Sequence, residues 1–353
     1  MRDRTAGRTP KLKGASGIRN RSRNLLPLPA AALLAVFMAP ALSGCAGAPA
    51  APAGDEFFAP GLAGSGRAGY LGPRGTYSQE ACHALFRKEE RCAPYPGVRE
   101  AAEALLRGEV SYAVIPAENT LGGPTSYVTL LMNTPDIAIA GGAELPITQH
   151  LLTLPGTSLS SVKRVYSHKQ GLVQSESWLK QHLPEAELTE VASTAAGAEK
   201  ILKNHEKDSA AIASAGAAAV YGLRIAAAGI QGNDRNKTRF YALTRKTGVI
   251  PPETPAKAPG DGKAELRHFF TGSGNIRDLP ALMSAMRESG LVLIAFYQEP
   301  LKTDLGSYRF FMECSGPFRS YQRLAEQSPV PLSYLGSFDP AALQRSSPDT
   351  APL

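Results

Sequence analysis

The sequence predicts an α/β fold divided into two or three domains. Short apolar runs of strand character at 113–115, 162–166 and 210–213 alternate with helix-forming segments at 78–88, 98–106, 171–179, 194–202 and 215–221. That alternation is the pattern of a parallel sheet flanked by helices. A Pro- and Gly-rich stretch at 251–262 then divides the body, so 247–264 reads as a linker between one unit at 67–246 and another at 265–340. The 353 residues, 43% of them hydrophobic, suffice to bury a core in each.

The elements of the second unit follow the same logic. Residues 265–271, 291–297 and 308–313 read as strands, and 279–288 as a helix after the first of them.

The ends of the chain carry a different signal. Eight basic residues between Arg2 and Arg23, set against Asp3, supply all of the formal charge of +7. The remainder is close to neutral and has no nucleic-acid footprint. An apolar stretch at 25–42, broken by Pro27, Pro29 and Pro40, leads into Leu42-Ser43-Gly44-Cys45. This is the layout of a signal peptide over residues 1–45, and its end resembles a bacterial lipobox, whose cysteine is lipidated. A start codon placed too far upstream or an organelle presequence gives a similar composition. Localisation therefore stays open between cell envelope and cytoplasm, and membrane attachment is expected only through Cys45. The Pro-broken segment makes a poor permanent membrane helix. Residues 46–66 read as a tether and 341–353 as a tail.

Besides Cys45 there are Cys82, Cys92 and Cys314, without metal-ligand spacing. Cys82 and Cys92 could pair in an oxidising compartment, although two buried thiols are the expected state of such small apolar residues.

Four polar clusters follow apolar runs: Gly72-Pro73-Arg74-Gly75-Thr76-Tyr77-Ser78, Pro116-Ala117-Glu118-Asn119-Thr120, Ser167-His168-Lys169-Gln170 with Gln174 beyond, and Asn236-Lys237-Thr238-Arg239-Phe240. In this order and spacing, from about residue 70 to 244, they resemble the prephenate dehydratase family. The resemblance implies two α/β subdomains of periplasmic-binding-protein type with the site in the cleft between them, followed by an α+β ferredoxin-like ACT domain. It implies conversion of prephenate to phenylpyruvate in phenylalanine biosynthesis, without metal or organic cofactor, by a homodimer or tetramer. Arogenate is an alternative substrate.

Prephenate is a dianion whose ring hydroxyl leaves badly, so the site must hydrogen-bond the departing oxygen and hold two carboxylates. The resemblance assigns Thr238 to the leaving hydroxyl, beside Ser167, Gln174 and Asn119. Arg239 is expected to grip a carboxylate with its planar fork, although neighbours on a regular strand face opposite sides. Glu118 has the wrong sign for direct contact and would orient its neighbours. Thr76 and Ser78 open one helix and Ser193 and Thr194 another, where unpaired N–H groups suit anions. His168 completes the expected binding set.

Three positions depart from the family pattern: Lys169 replaces a proline, Gly171 follows the glutamine, and Gly232 stands where aspartate is usual. In the second unit the effector positions for phenylalanine fall at Leu279, Ala281, Glu299 and Pro300. The loss there of a glycine and an arginine predicts weakened or absent feedback inhibition. A lipid-anchored solute-binding protein of similar two-lobed fold, or a catalytically retired relative, are the rival readings.

Overall fold

The computed structural model describes residues 66–87, 89–246, 265–317 and 319–340. The expected signal peptide at 1–45, linker at 247–264 and tail at 341–353, and the expected tether at 46–66 except its last residue, lie outside them. Among the described residues no helix is long and apolar enough to cross a membrane.

The first lobe begins with β1 (Ala68–Leu71), α1 (Tyr77–Phe86), β2 (Cys92–Tyr95), α2 (Val98–Arg107) and β3 (Tyr112–Asn119). It continues through the two-residue β4 (Gly123–Pro124), α3 (Val128–Asn133) and β5 (Ile137–Pro146). Local chemistry sets the helix ends. The Thr76 hydroxyl accepts from Gln79 N at 3.3 Å to start α1, and Gly108, at φ 79°, ends α2 in the left-handed region that glycine enters freely.

The chain then crosses into the second lobe. There it forms β6 (His150–Thr153), β7 (Arg164–Ser167), α4 (Lys169–Gln174), α5 (Glu176–His182), β8 (Glu187–Glu190) and α6 (Thr194–Asn204). After β9 (Ser209–Ala213), α7 (Ala215–Tyr221) and β10 (Arg224–Ala227) it returns to the first lobe as β11 (Lys237–Arg245). The single helix expected at 171–179 is two. The Gln174 carbonyl accepts from Gly232 N at 2.9 Å, which takes it out of the helical ladder at the Ser175 break.

The expected parallel sheets are mixed. The first lobe has strand order β2-β1-β3-β11-β5, with β4 beside β3; β1 runs parallel to β2 and β3, but β11 is antiparallel to both neighbours. The second has order β10-β6-β9-β7-β8, parallel only at β7–β8 and β7–β9. Parallel pairs need a long crossover. The two passages between lobes have none, so the strands flanking them enter antiparallel. These passages hold each other: Ile147 N donates to Asn236 O and Ile230 N to Gln149 O, both at 2.8 Å.

The C-terminal unit runs β12 (Leu266–Asn275), α8 (Leu279–Glu288), β13 (Val292–Pro300), β14 (Ser307–Gly316), α9 (Ser320–Gln327) and β15 (Leu332–Phe338). Its antiparallel sheet, ordered β13-β14-β12-β15, has the βαββαβ connectivity of ferredoxin-like ACT domains. Phe269, Phe311 and Leu335 share one buried cluster with Ile137, Ile139, Tyr241 and Leu243 of the first lobe. The contact is close. Gly336, at φ 123°, brings its α-carbon so near β5 that an added Cβ would stand 2.5 Å from the Ile139 carbonyl oxygen.

Cys82 and Cys92 form a disulfide, with Cα atoms 6.2 Å apart, where two thiols were expected. One turn of 3-10 helix at Glu89–Arg91 folds the chain back from α1 to β2 and brings the two sulfurs together. Cys314 is a buried free thiol. A bridge across ten residues should stabilise the fold by about 3 kcal/mol through loop closure. Reduction, or Cys82→Ser, should therefore lower the melting temperature by several degrees, and an unchanged transition in dithiothreitol would show that the bridge contributes nothing.

Candidate active site

Between the two lobes lies a cleft of ≈ 280 Å³. Three helices point their N-termini into it: Thr76, Tyr77 and Ser78 of α1, His168, Gln170 and Gly171 of α4, and Ser193 and Thr194 of α6 line its wall. The capping side chains are already engaged: Thr76 donates to Leu71 O at 2.9 Å, and Ser193 accepts from Ala196 N at 3.0 Å. The first N–H groups of each helix have no partner within the helix, and the dipoles of α1 and α6 add to their positive field. Leu71, Pro116, Tyr127, Ile147 and Phe240 supply apolar surface. Among the described residues no lysine or arginine lines the cleft.

Asn119 is the hub of the floor. Its Oδ1 accepts from Leu121 N at 3.0 Å, Gly122 N at 2.9 Å and Gln170 Nε2 at 2.8 Å. Two backbone donors on that oxygen fix which way the amide faces. Nδ2 must then donate on the other side, to Thr238 Oγ1 and Asn236 Oδ1, each at 2.9 Å, and to Lys237 O at 3.1 Å. Thr238 accepts from the amide, so its own hydroxyl proton is left to point into the cleft. Asn119 is 7% and Thr238 8% exposed, enough to present a polar edge to a ligand and little enough to exclude bulk water.

The reverse face of the same strands holds a charge cluster. Arg239 donates to Glu144 Oε1 from Nη2 at 2.8 Å and from Nε at 3.0 Å, and its Nη1 reaches Glu118 at 3.2 Å and Glu313 at 3.0 Å. Tyr241 donates its hydroxyl to Glu313 at 2.7 Å. Burial disfavours the guanidinium charge, but Glu313 and Glu144 outweigh it and hold Arg239 above its ordinary pKa. Burial, then the Glu313 charge, push Tyr241 well above the usual tyrosine range, so it stays a neutral donor. Removing one member of a buried pair typically costs ~3–5 kcal/mol.

Of the residues singled out from the sequence, Thr76, Ser78, Asn119, His168, Gln174, Ser193, Thr194 and Thr238 meet at this one cleft. Three do not. Arg239 and Glu118 turn away and pair with each other, because alternation along β11 and β3 sends them to the opposite face from Thr238 and Asn119. A bulge does follow, with Arg239 opposite Glu118 but Phe240 opposite Pro116, yet its extra residue, Ala117, belongs to β3 and leaves the alternation of β11 unchanged. Ser167 is fully buried and donates to Ile212 O at 2.7 Å. An added Cβ at Gly171 would stand 2.5 Å from its hydroxyl oxygen, so the glycine after Gln170 is what lets α4 lie this close.

Two further glutamines, Gln149 and Gln170, line the cleft beyond the residues expected from the sequence. Gln149 lines the cleft, is 2% exposed and donates from Nε2 to Gln174 Oε1 at 3.1 Å, while its own Oε1 is buried without a protein partner. It sits in the passage between lobes, outside any motif. The available signal was a glutamine just ahead of the apolar run at 151–154.

In the C-terminal unit a small pocket of ≈ 20 Å³ is lined by Leu279, Leu282, Phe296, Gln298 and Phe310 among others. Only Leu279 of the four expected effector positions lines it. Ala281 lies on the exposed side of α8. Glu299, one step out of phase with Gln298 on β13, pairs instead with Asn133 and Arg309, and Pro300 ends the strand. Among the described residues no group of three or more His, Cys, Asp or Glu is placed to hold a metal ion.

Comparison with known proteins agrees with this geometry. The family model described as prephenate dehydratase matches residues 68–248. A bifunctional chorismate mutase/prephenate dehydratase of Aquifex aeolicus is 31% identical over 285 residues, which is 78% of this chain and 74% of that protein. Arogenate dehydratase 5 of Arabidopsis thaliana is 37% identical over 195 residues, 54% of this chain and 45% of that one. The solved structure of an Arthrobacter aurescens prephenate dehydratase in complex with L-Phe superposes with a TM-score of 0.66 at 26% identity, covering 77% of this chain and 89% of the other. The extent of these matches places the chain in the prephenate dehydratase family.

Proposed function

We propose that this cleft converts prephenate to phenylpyruvate, and that the Asn119–Thr238 hydrogen bond carries the chemistry. In the reaction the ring carboxylate leaves as carbon dioxide and the electron pair of that C–C bond enters the ring. The ring hydroxyl departs with its own bonding pair, and one proton from solvent completes water. Threonine is too weak an acid to give up its proton outright, so Thr238 donates a hydrogen bond to the oxygen as negative charge grows on it. Asn119 makes this possible by occupying the acceptor side of Oγ1.

Positioning falls to neutral dipoles. The N-terminal turns of α1 and α6, with Ser78 and Thr194, are the anion-binding features available for the side-chain carboxylate. The departing ring carboxylate is better left without a cation, since an ion pair would stabilise the reactant more than the neutral product.

One feature favours arogenate as a second substrate. It carries an ammonium where prephenate has a keto oxygen, and the unpartnered Oε1 of Gln149 is an acceptor in the cleft. Phenylalanine is proposed to be a poor inhibitor, because the effector positions lack the glycine and the arginine that the family pattern places there. A homodimer through the edge strand β13 is supported by Val292, 63% exposed, with Leu293 and Ile294 beside it. Export is supported by the Cys82–Cys92 bridge, of a kind that persists in oxidising compartments.

Phenylpyruvate formation from prephenate should fall by roughly 10²–10³ in kcat in Thr238→Ala, the usual loss for one such donor, with KM little changed and Thr238→Ser partly active. Retained turnover in the alanine variant would remove Thr238 from the mechanism, and a higher kcat/KM with arogenate, lost in Gln149→Met, would select the second substrate. Phenylalanine should neither inhibit at concentrations matching substrate nor raise the melting temperature. Light scattering should report a dimer that Val292→Glu dissociates. If Cys45 is lipidated, metabolic labelling with a fatty acid should mark the protein and fail in Cys45→Ala; an unlabelled, cytosolic protein would end the export reading.

A further inference from the structure

We propose that Glu313, on β14 of the C-terminal sheet, is a positioning residue for the reaction in the cleft, acting through Arg239. The inference rests on the role given to Thr238 above. The strand register carries it. Thr238 stands opposite Asn119 and Arg239 opposite Glu118, so the front bond that aims the Thr238 hydroxyl and the rear ion pair are two faces of one step of the β3–β11 ladder. Immediately beyond, the register shifts, and Phe240 faces Pro116, which has no N–H to give. A bulge beside a proline weakens backbone pairing at this point. Side chains on the rear face therefore hold the step in register.

Glu313 is the carboxylate that the C-terminal unit brings to Arg239. It is 3% exposed, accepts from Arg239 Nη1 at 3.0 Å and Tyr241 Oη at 2.7 Å, and lies 3.6 Å from Arg267 Nη1. Arg239 Nη1 is shared between Glu313 and Glu118. Loss of the Glu313 charge leaves that nitrogen to Glu118 alone and draws the guanidinium toward β3, which displaces Thr238 one residue away. The substrate-binding helix N-termini belong to other elements and are not touched. The signature is thus a loss in kcat with KM preserved that vanishes once Thr238 is removed, whereas a loss of folded enzyme lowers kcat whether or not Thr238 is present.

The test uses the full chain carrying Glu313→Gln, which keeps the side-chain shape and removes the charge. Its kcat should fall roughly tenfold or more, as for other groups that orient a reacting residue, with KM within about twofold. In a Thr238→Ala background the same change should cost nothing further in kcat. Amide exchange should quicken in residues 115–120 and 236–241 and stay unchanged in β7 and β9. That readout needs no turnover: faster exchange with Thr238→Ala still active would sink the Thr238 reading and leave the coupling standing. Unchanged exchange, or an equal kcat loss in both backgrounds, would overturn the proposal. Should Glu313→Gln fail to fold, Tyr241→Phe, which removes a single bond to Glu313, should give the same pattern at a few-fold.

Discussion

The register of β11 against β3 is the constraint on which the rest of the site depends. Along two antiparallel strands it sets Glu118 and Asn119 against Arg239 and Thr238, and alternation sorts the four by chemistry. The neutral pair faces the cleft and the charged pair faces the neighbouring domain. A slip of one residue would exchange the faces, sending the arginine into the cleft and the threonine into a cluster of carboxylates. Burial of Arg239 among three glutamates makes such a slip expensive, since it would strand several buried charges at once.

The C-terminal unit takes part in this arrangement as a wall of the first lobe. Tyr241 stacks edge-on against Phe269 with ring centroids 5.3 Å apart, and Phe338 presses on Gly142 of β5. Gly336 permits that approach, since a Cβ there would collide with the Ile139 carbonyl, and at Gly142 a Cβ would press on the Phe338 ring at 3.0 Å. The apolar cluster and the ion cluster lie side by side on the same sheet face, so one interface both buries hydrophobic area and fixes charge.

Much of this was legible in the sequence. Periodicity located the helices Val98–Arg107, Ala215–Tyr221 and Leu279–Glu288 and the buried strand Ser209–Ala213, because each is covered on its apolar side and keeps a regular pattern. The strands Ile137–Pro146 and His150–Thr153 went unassigned, since a strand buried on both faces lacks alternation and ends without a turn signal where it passes straight to the other lobe. Motif order brought eight of the expected site residues to one cleft. It could not separate Arg239 and Glu118 from them, since adjacency in sequence says nothing of which face a strand residue takes until its partner strand is known. Ser167 was lost for a related reason: its hydroxyl is consumed by the Ile212 carbonyl of a strand 45 residues away. Gln149 stayed hidden because a lobe-crossing passage has no periodicity to read.

That the described residues of the cleft wall include no lysine or arginine has a consequence before binding as well as in the bound state. Long-range attraction of an anion requires net charge, whereas a helix terminus acts only within its first turn and fades with distance. The positive excess of the chain sits in its first 23 residues, leaving the body near neutral. A dianion approaching this cleft is therefore captured at an ordinary diffusional encounter rate that ionic strength barely alters, and discrimination among anions begins only at contact, where geometry rather than charge decides which of them stays.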